Sequence, residues 1–175
     1  MGLNHMKVML EFIIKKMANS LKQTLIEQVK KYGMIVGNTR EILNYNFLIE
    51  DFSFNVLARD KKYIEEKILK YSNDLQKCIE ELKLNKLSRR AVIQFNLKEN
   101  PPECISTIQF FIRDDMLIVI VNQRSLDVEK HFVTDTMIAK GFADKICEEF
   151  NIKLRYVKFQ VSSFHIYKKD EEILA

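Results

Sequence analysis

The sequence predicts an α/β (α+β) fold, a mixed β-sheet with helices packed on it. Three observations carry that expectation. An amphipathic stripe with helical spacing runs from about Val8 to Lys31. The stretch from Ala91 to Gln123 breaks into short β-rich runs around a tight-turn signal. A second helical stripe, Asp135 to Phe150, then leads into a last extended region, Leu154 to Tyr167. Strand runs interrupted by amphipathic helices require a sheet that buries a face against them.

In the first helix Leu10, Ile13, Ile14, Met17, Leu21, Leu25 and Val29 recur at three- and four-residue steps, with lysines between them, and Gly33 ends the pattern. Gly37-Asn38-Thr39 reads as a turn, with Arg40 a surface or turn residue. Ile42, Leu43, Tyr45, Phe47 and Ile49 follow as a strand. Tyr63, Ile64, Ile68 and Leu69 share one face of a helix over Lys61–Tyr71, and Leu75, Cys78, Ile79 and Leu82 mark another. Ser88-Arg89-Arg90 enters a strand from Ala91 to Leu97. Ser106–Arg113 and Met116–Gln123 flank Asp114-Asp115, a hairpin signal. Ile118 to Val121 is apolar on both alternating sets, which predicts burial on both faces. In the last helix Ile138, Phe142, Ile146 and Phe150 form the core stripe, with Cys147 beside it as a structural thiol.

The 175 residues suffice for one domain, 1–175, with an N-terminal helix over 1–33 and its chemistry-bearing motifs over 88–167. A net charge of +4 is too mild to argue for nucleic acid and suits a small anionic ligand. No apolar run is long enough for a membrane span. Three cysteines without C-x-x-C pairing, and no signal-peptide pattern, point to a reducing cytoplasm. The cysteines and histidines show no metal-ligand spacing, and no glycine loop suits a phosphate.

Three short motifs carry the functional signal. Pro101-Pro102 precedes Cys104, Gln123-Arg124-Ser125-Leu126-Asp127 begins 19 residues after that cysteine, and His165-Ile166-Tyr167 closes the series. The intervals from Cys104 to Arg124 and from Arg124 to His165 are 20 and 41 residues. In this order and spacing the motifs resemble those of thymidylate synthases and the related pyrimidine hydroxymethylases. The resemblance is good from Ser88 to Tyr167, patchy from Asn38 to Asp74 and absent before that. It implies a thymidylate synthase-like fold, a homodimer, a pyrimidine nucleoside monophosphate as ligand and 5,10-methylenetetrahydrofolate as one-carbon donor. Ile105 departs from the family, where a histidine often follows the cysteine. The family's long folate-covering segment is missing between Asp74 and Ser88, and family enzymes usually continue past the His-x-Tyr further than the eight residues found here.

The resemblance also implies roles. Cys104 is the nucleophile that adds to C6 of the pyrimidine, and covalent addition turns C5 into a competent nucleophile. A free thiol, with a pKa of about 8.5, is mostly protonated at neutral pH, and a nearby arginine favours the thiolate. Arg124 and Ser125 bind the nucleotide phosphate, with Arg89 and Arg90 reaching it from the partner subunit, a task suited to the planar guanidinium fork. His165 and Tyr167 share a strand face and hold the sugar hydroxyl. Gln123 lines the pocket and Asp127 holds the pterin. Glu66 organises water and protons around the base, although Glu65 competes with it for the inward face.

Eight residues after Asp127, thymidylate synthases carry an asparagine that reads uracil. This chain has Asp135 there, as the family's cytidylate hydroxymethylases do. A carboxylate accepts from the cytosine amino group, whereas against uracil it faces an acceptor. The resemblance therefore leans to cytidylate hydroxymethylation, with thymidylate synthesis on dUMP or a non-catalytic nucleotide-binding protein as alternatives. A competing reading makes Asp135 a helix N-cap, a task Thr134 can also perform.

Overall fold

A computed structural model describes residues 20–96, 98 and 101–168. The expected first helix is seen from residue 20 to residue 32 (α1), and its earlier part lies outside the described residues. In chain order follow β1 (Met34–Val36), β2 (Thr39–Ile49), α2 (Ala58–Lys70), α3 (Ser72–Leu84), β3 (Val92–Gln94), β4 (Ile105–Arg113), β5 (Met116–Asp127), α4 (Phe132–Phe150) and β6 (Lys153–Tyr167). The strands form one sheet in the order β1-β2-β6-β5-β4-β3. β5 and β6 are parallel, joined by α4, and every other neighbouring pair is antiparallel.

Local chemistry accounts for the connections. Gly33 stops α1 because its N–H bonds Val29 O at 2.8 Å, and a β-carbon there would meet that same oxygen at 2.5 Å. Arg40 is a strand residue rather than a turn residue, and it donates to Gly33 O at 3.2 Å. Gly37, with φ +57°, turns β1 into β2. β1 itself escapes sequence reading, since three residues show no alternation. Asp114 and Asp115, with φ +52° and +53°, make the two-residue turn between β4 and β5. α4 begins at Phe132, one turn earlier than its stripe suggests, and ends on left-handed Asn151.

The helices cover one face of the sheet. Val119, Val121, Val157 and Phe159 are fully buried there with Phe142 and Ile146 of α4. Phe47 of β2 stacks on Phe159 with ring centres 5.0 Å apart. The opposite face departs from expectation. Phe111, Ile118, Ile120 and Tyr156 are only half-buried, so β5 is buried on one face. Among the described residues this chain has one helical layer, and nothing in it covers the second face. No described helix is long and apolar enough to cross a membrane.

A kink crosses three adjacent strands at one level. The inward positions run Gln123 then Leu126 in β5, Val161 then Phe164 in β6, and Tyr45 then Ile42 in β2. Two consecutive residues therefore avoid the core in each strand: Arg124-Ser125, Ser162-Ser163 and Leu43-Asn44. Asn44 takes the left-handed conformation, φ +54°, that permits the step in β2. Beyond the kink the alternation reverses, and Ser125, Ser163, His165 and Tyr167 become the residues pointing away from the core.

Candidate active site

Cys104 lies at the mouth of β4, facing β5 at the kink. Its Sγ is 3.7 Å from Arg124 Nη2 and 3.7 Å from Ser125 Oγ. Arg124 fixes the whole approach to the thiol. Its backbone N–H donates to Cys104 O at 2.9 Å, Nε to Glu103 O at 3.0 Å and Nη2 to Pro102 O at 3.1 Å. The proline-flanked segment cannot satisfy these carbonyls by itself, and the guanidinium does so while setting positive charge beside the sulfur. Burial pushes Cys78 and Cys147 up to about 11, which suits packing roles.

Two hollows of about 570 Å³ each open at Cys104. One is walled by Tyr63, Phe95, Pro101, Pro102, Ile105 and Ile138, with Asp135, Lys67, Glu103, Arg124 and His131 as polar residues beside Cys104. The other holds Arg124, Ser125, Asp127, Lys130, His165 and Tyr167. His165 and Tyr167 stand edge to face, ring centres 5.7 Å apart. His165 Nδ1 lies 3.5 Å from Ser163 Oγ, and Lys130 Nζ caps the Tyr167 ring at 4.6 Å. Asp127 Oδ1 accepts from the backbone N–H groups of Glu129 and Lys130 at 3.1 and 3.2 Å, and Oδ2 lies 3.4 Å from Lys130 Nζ. This carboxylate thus shapes the β5–α4 bend as well as lining the hollow.

Asp135 is buried and caps nothing. The helix begins at Phe132 after His131, with no side-chain cap from Asp135 or Thr134. Its carboxylate instead accepts from Gln123 Nε2. Burial raises its pKa to about 6, against the opposing pull of the Gln123 hydrogen bond and of His131 and Lys67, and Glu103 adds to the rise. Gln123 Oε1 is buried without a hydrogen-bond partner among the described residues.

Glu66 and its competitor Glu65 do not face the hollows. Glu66 is exposed and pairs with Lys62 at 3.7 Å, and Glu65 is exposed too. The face of α2 toward the hollow carries Tyr63 and Lys67, one turn apart, and one residue of helical rotation sends Glu66 to solvent. The carboxylate in that region is Glu103, whose side chain ion-pairs with Lys67 and, at 3.3 Å, with Lys70. Arg89 and Arg90 are exposed and line neither hollow of their own chain, and Arg90 Nε pairs with Glu81 at 3.1 Å. Sequence reasoning missed Tyr63, Lys67, Glu103, Lys130 and His131. Adjacency to Cys104 could have flagged Glu103, and four-residue spacing could have joined Tyr63 to Lys67 and His131 to Asp135. Among the described residues no cluster of His, Cys, Asp and Glu suits a metal.

The buried carboxylate has a stability signature. An acid whose folded pKa is raised contributes stability that is complete below its unfolded pKa, about 3.9, and lost as pH rises through its folded value, about 6. Above that, burying ionised Asp135 costs at most about 3 kcal/mol. An asparagine there can accept from Gln123 Nε2 and donate to Gln123 Oε1. Asp135→Asn is therefore expected to raise Tm at pH 7.5 and to give no gain at pH 4. A Tm difference that does not change with pH contradicts this account.

The family model for thymidylate synthase matches residues 10–175. The deoxycytidylate 5-hydroxymethyltransferases of Enterobacteria phages T4, T2 and T6 are each 29% identical over 109 residues, 53% of this chain and 44% of theirs. The match thus spans less than half the length of these curated relatives. Thermostable thymidylate synthase A from Bacillus subtilis shares the fold, with a TM-score of 0.70 at 13% identity over 87% of this chain and 80% of that one. With a family match running through the described fold from α1 to the end of β6, this chain belongs to the thymidylate synthase family.

Proposed function

We propose that this protein transfers a one-carbon unit to C5 of a pyrimidine nucleoside monophosphate through a covalent Cys104 adduct, and that the preferred base is cytosine. The observation that carries the reading is one hollow bordered by Cys104, with Arg124 Nη2 at 3.7 Å from its sulfur, and by buried Asp135. The Cys104 sulfur adds to C6, and the C5–C6 π pair moves into the ring, leaving C5 electron-rich. Arg124 and Ser125 receive the phosphate, and His165 and Tyr167 the sugar. Asp135 accepts from the cytosine amino group, and its proton, held near pH 6, is available to the N3 acceptor. The named activity of the phage relatives, acting on deoxycytidylate, supports this choice.

The family's donor, methylenetetrahydrofolate, would supply carbon at the oxidation level of formaldehyde. The site fits such a group in two respects. Tyr63, Phe95 and Ile138 offer an apolar wall to a flat ring, and Asp127 presents a carboxylate on the adjoining hollow for the pterin. With cytosine as base, water rather than hydride would complete the transfer, which makes the reaction a hydroxymethylation. One observation favours a rival, a nucleotide binder without turnover: Glu66 stands outside the hollow.

Cys104→Ser separates the two. Tritium release from C5-labelled nucleotide should fall at least a hundredfold while nucleotide still binds. Release at the wild-type rate by the serine variant overturns the nucleophile, and no release by the wild type favours the binder.

Base choice is read by equilibrium binding of dCMP and dUMP. An uncompensated acceptor-to-acceptor contact costs about 1–3 kcal/mol, so dCMP is expected to bind about tenfold more tightly. Asp135→Asn should reverse the order. Equal affinities, unchanged by the substitution, remove Asp135 from base recognition.

We further propose a homodimer built on the half-buried second face of the sheet, with Arg89 and Arg90 completing the partner's phosphate site. Their place outside their own chain's hollows, together with that uncovered face, supports this. Mixing an Arg124→Ala chain with an Arg89→Ala/Arg90→Ala chain should restore one intact site per mixed dimer, up to about a quarter of wild-type activity. Absence of complementation, or a monomer at working concentration, contradicts it.

A further inference from the structure

A group must take the C5 proton in the reaction proposed above, and must also supply one in the exchange that runs without a donor, and neither Cys104 nor Asp135 has that task. His131 sits at the bend between β5 and α4, with its backbone held on both sides. Its N–H donates to Asp127 O at 2.8 Å, and its own carbonyl accepts from Asp135 N at 2.9 Å. The residue borders both hollows that open at Cys104, and also a third, larger one beside Lys22 and Glu129. No other described residue borders all three.

The other ionisable groups of the site are engaged. Glu103 is held by Lys67 and Lys70, Asp127 by two backbone amides, Asp135 by Gln123, and His165 by Ser163. The His131 ring makes no hydrogen bond among the described residues. Imidazole is the side chain that both gives and takes protons near neutral pH.

The shape of the ring fixes where that proton is needed. With C6 at Cys104 Sγ and the N3–C4 edge at Asp135, C5 lies on the arc between them. His131 precedes Asp135 by one helical turn and shares the hollow with Cys104. We propose that His131 is the catalytic acid–base at C5. The inference rests on the reading of Cys104 as nucleophile.

The step balances without any donor. As the Sγ–C6 bond forms, the C5–C6 π pair takes a proton from the His131 imidazolium, giving a 5,6-dihydro adduct and neutral imidazole. The imidazole then removes the other C5 hydrogen, the double bond re-forms, and the S–C6 pair returns to sulfur. A tritium label at C5 leaves to water by this route.

The test is tritium release from C5-labelled dCMP by the full chain without folate, beside equilibrium binding of dCMP. His131→Gln is expected to slow release about a hundredfold or more with affinity changed less than threefold. His131→Ala should behave alike and regain release, saturably, on addition of imidazole. Wild-type release by His131→Gln overturns the assignment, and so does a loss in His131→Ala that imidazole does not restore. Absence of release from the wild-type protein itself instead strikes the nucleophile reading, and this inference falls with it.

Discussion

The site depends on the clamp that Arg124 places on the segment before Cys104. One residue supplies a backbone N–H and two guanidinium donors to three successive carbonyls, those of Cys104, Glu103 and Pro102. The two guanidinium bonds are charge-assisted and exceed neutral ones in strength, and with the backbone bond they leave the segment little freedom. The same guanidinium then reaches the thiol. On the far side, Lys67 and Lys70 of α2 hold the Glu103 side chain. The loop is thus pinned between the sheet and a helix, and the thiol is presented from a fixed backbone.

The clamp in turn depends on the kink across β2, β6 and β5. A regular strand would send Arg124 and Ser125 to opposite faces, because side chains alternate. At the kink both avoid the core, and both approach Cys104. The neighbouring strand breaks step at the same level, which keeps β5 and β6 paired from Gln123–Val161 through Ser125–Ser163 to Asp127–His165. His165 and Tyr167 consequently arrive on the side of the sheet that Ser125 occupies. One irregularity, repeated in adjacent strands, assembles residues 41 positions apart.

Charge around the hollows is distributed unevenly. Lys67 and Glu103 are nearly buried and pair closely, which offsets the desolvation of each. Among the described residues Asp135 has no such ion pair and sits against a neutral amide. Burial raises its proton affinity, and at neutral pH the ionised carboxylate sits in the interior at a cost to stability. Functional sites commonly carry this kind of local cost.

Much of the fold was legible because its signals are local. The Asp-Asp turn, the glycine stop of α1 and the stripe of α4 each depend on a few neighbouring residues, and the motifs around Cys104, Arg124 and His165 follow from identity and spacing. Family membership followed from the same residues. The sequence by itself did not determine which side of α2 faces the hollow: the expectation lay between Glu66 and Glu65, both exposed, and Lys67 lines the hollow instead. Consecutive helical residues diverge by about 100°, so a one-residue error exchanges solvent for site. Nor did it determine where Asp135 points, since a cap and a buried partner of Gln123 place aspartate alike in the chain. The half-covered second face of β5 was equally hidden, because an apolar strand reads the same whether its second layer comes from its own chain or another. Those three outcomes depend on which distant surfaces meet, and only tertiary packing decides that.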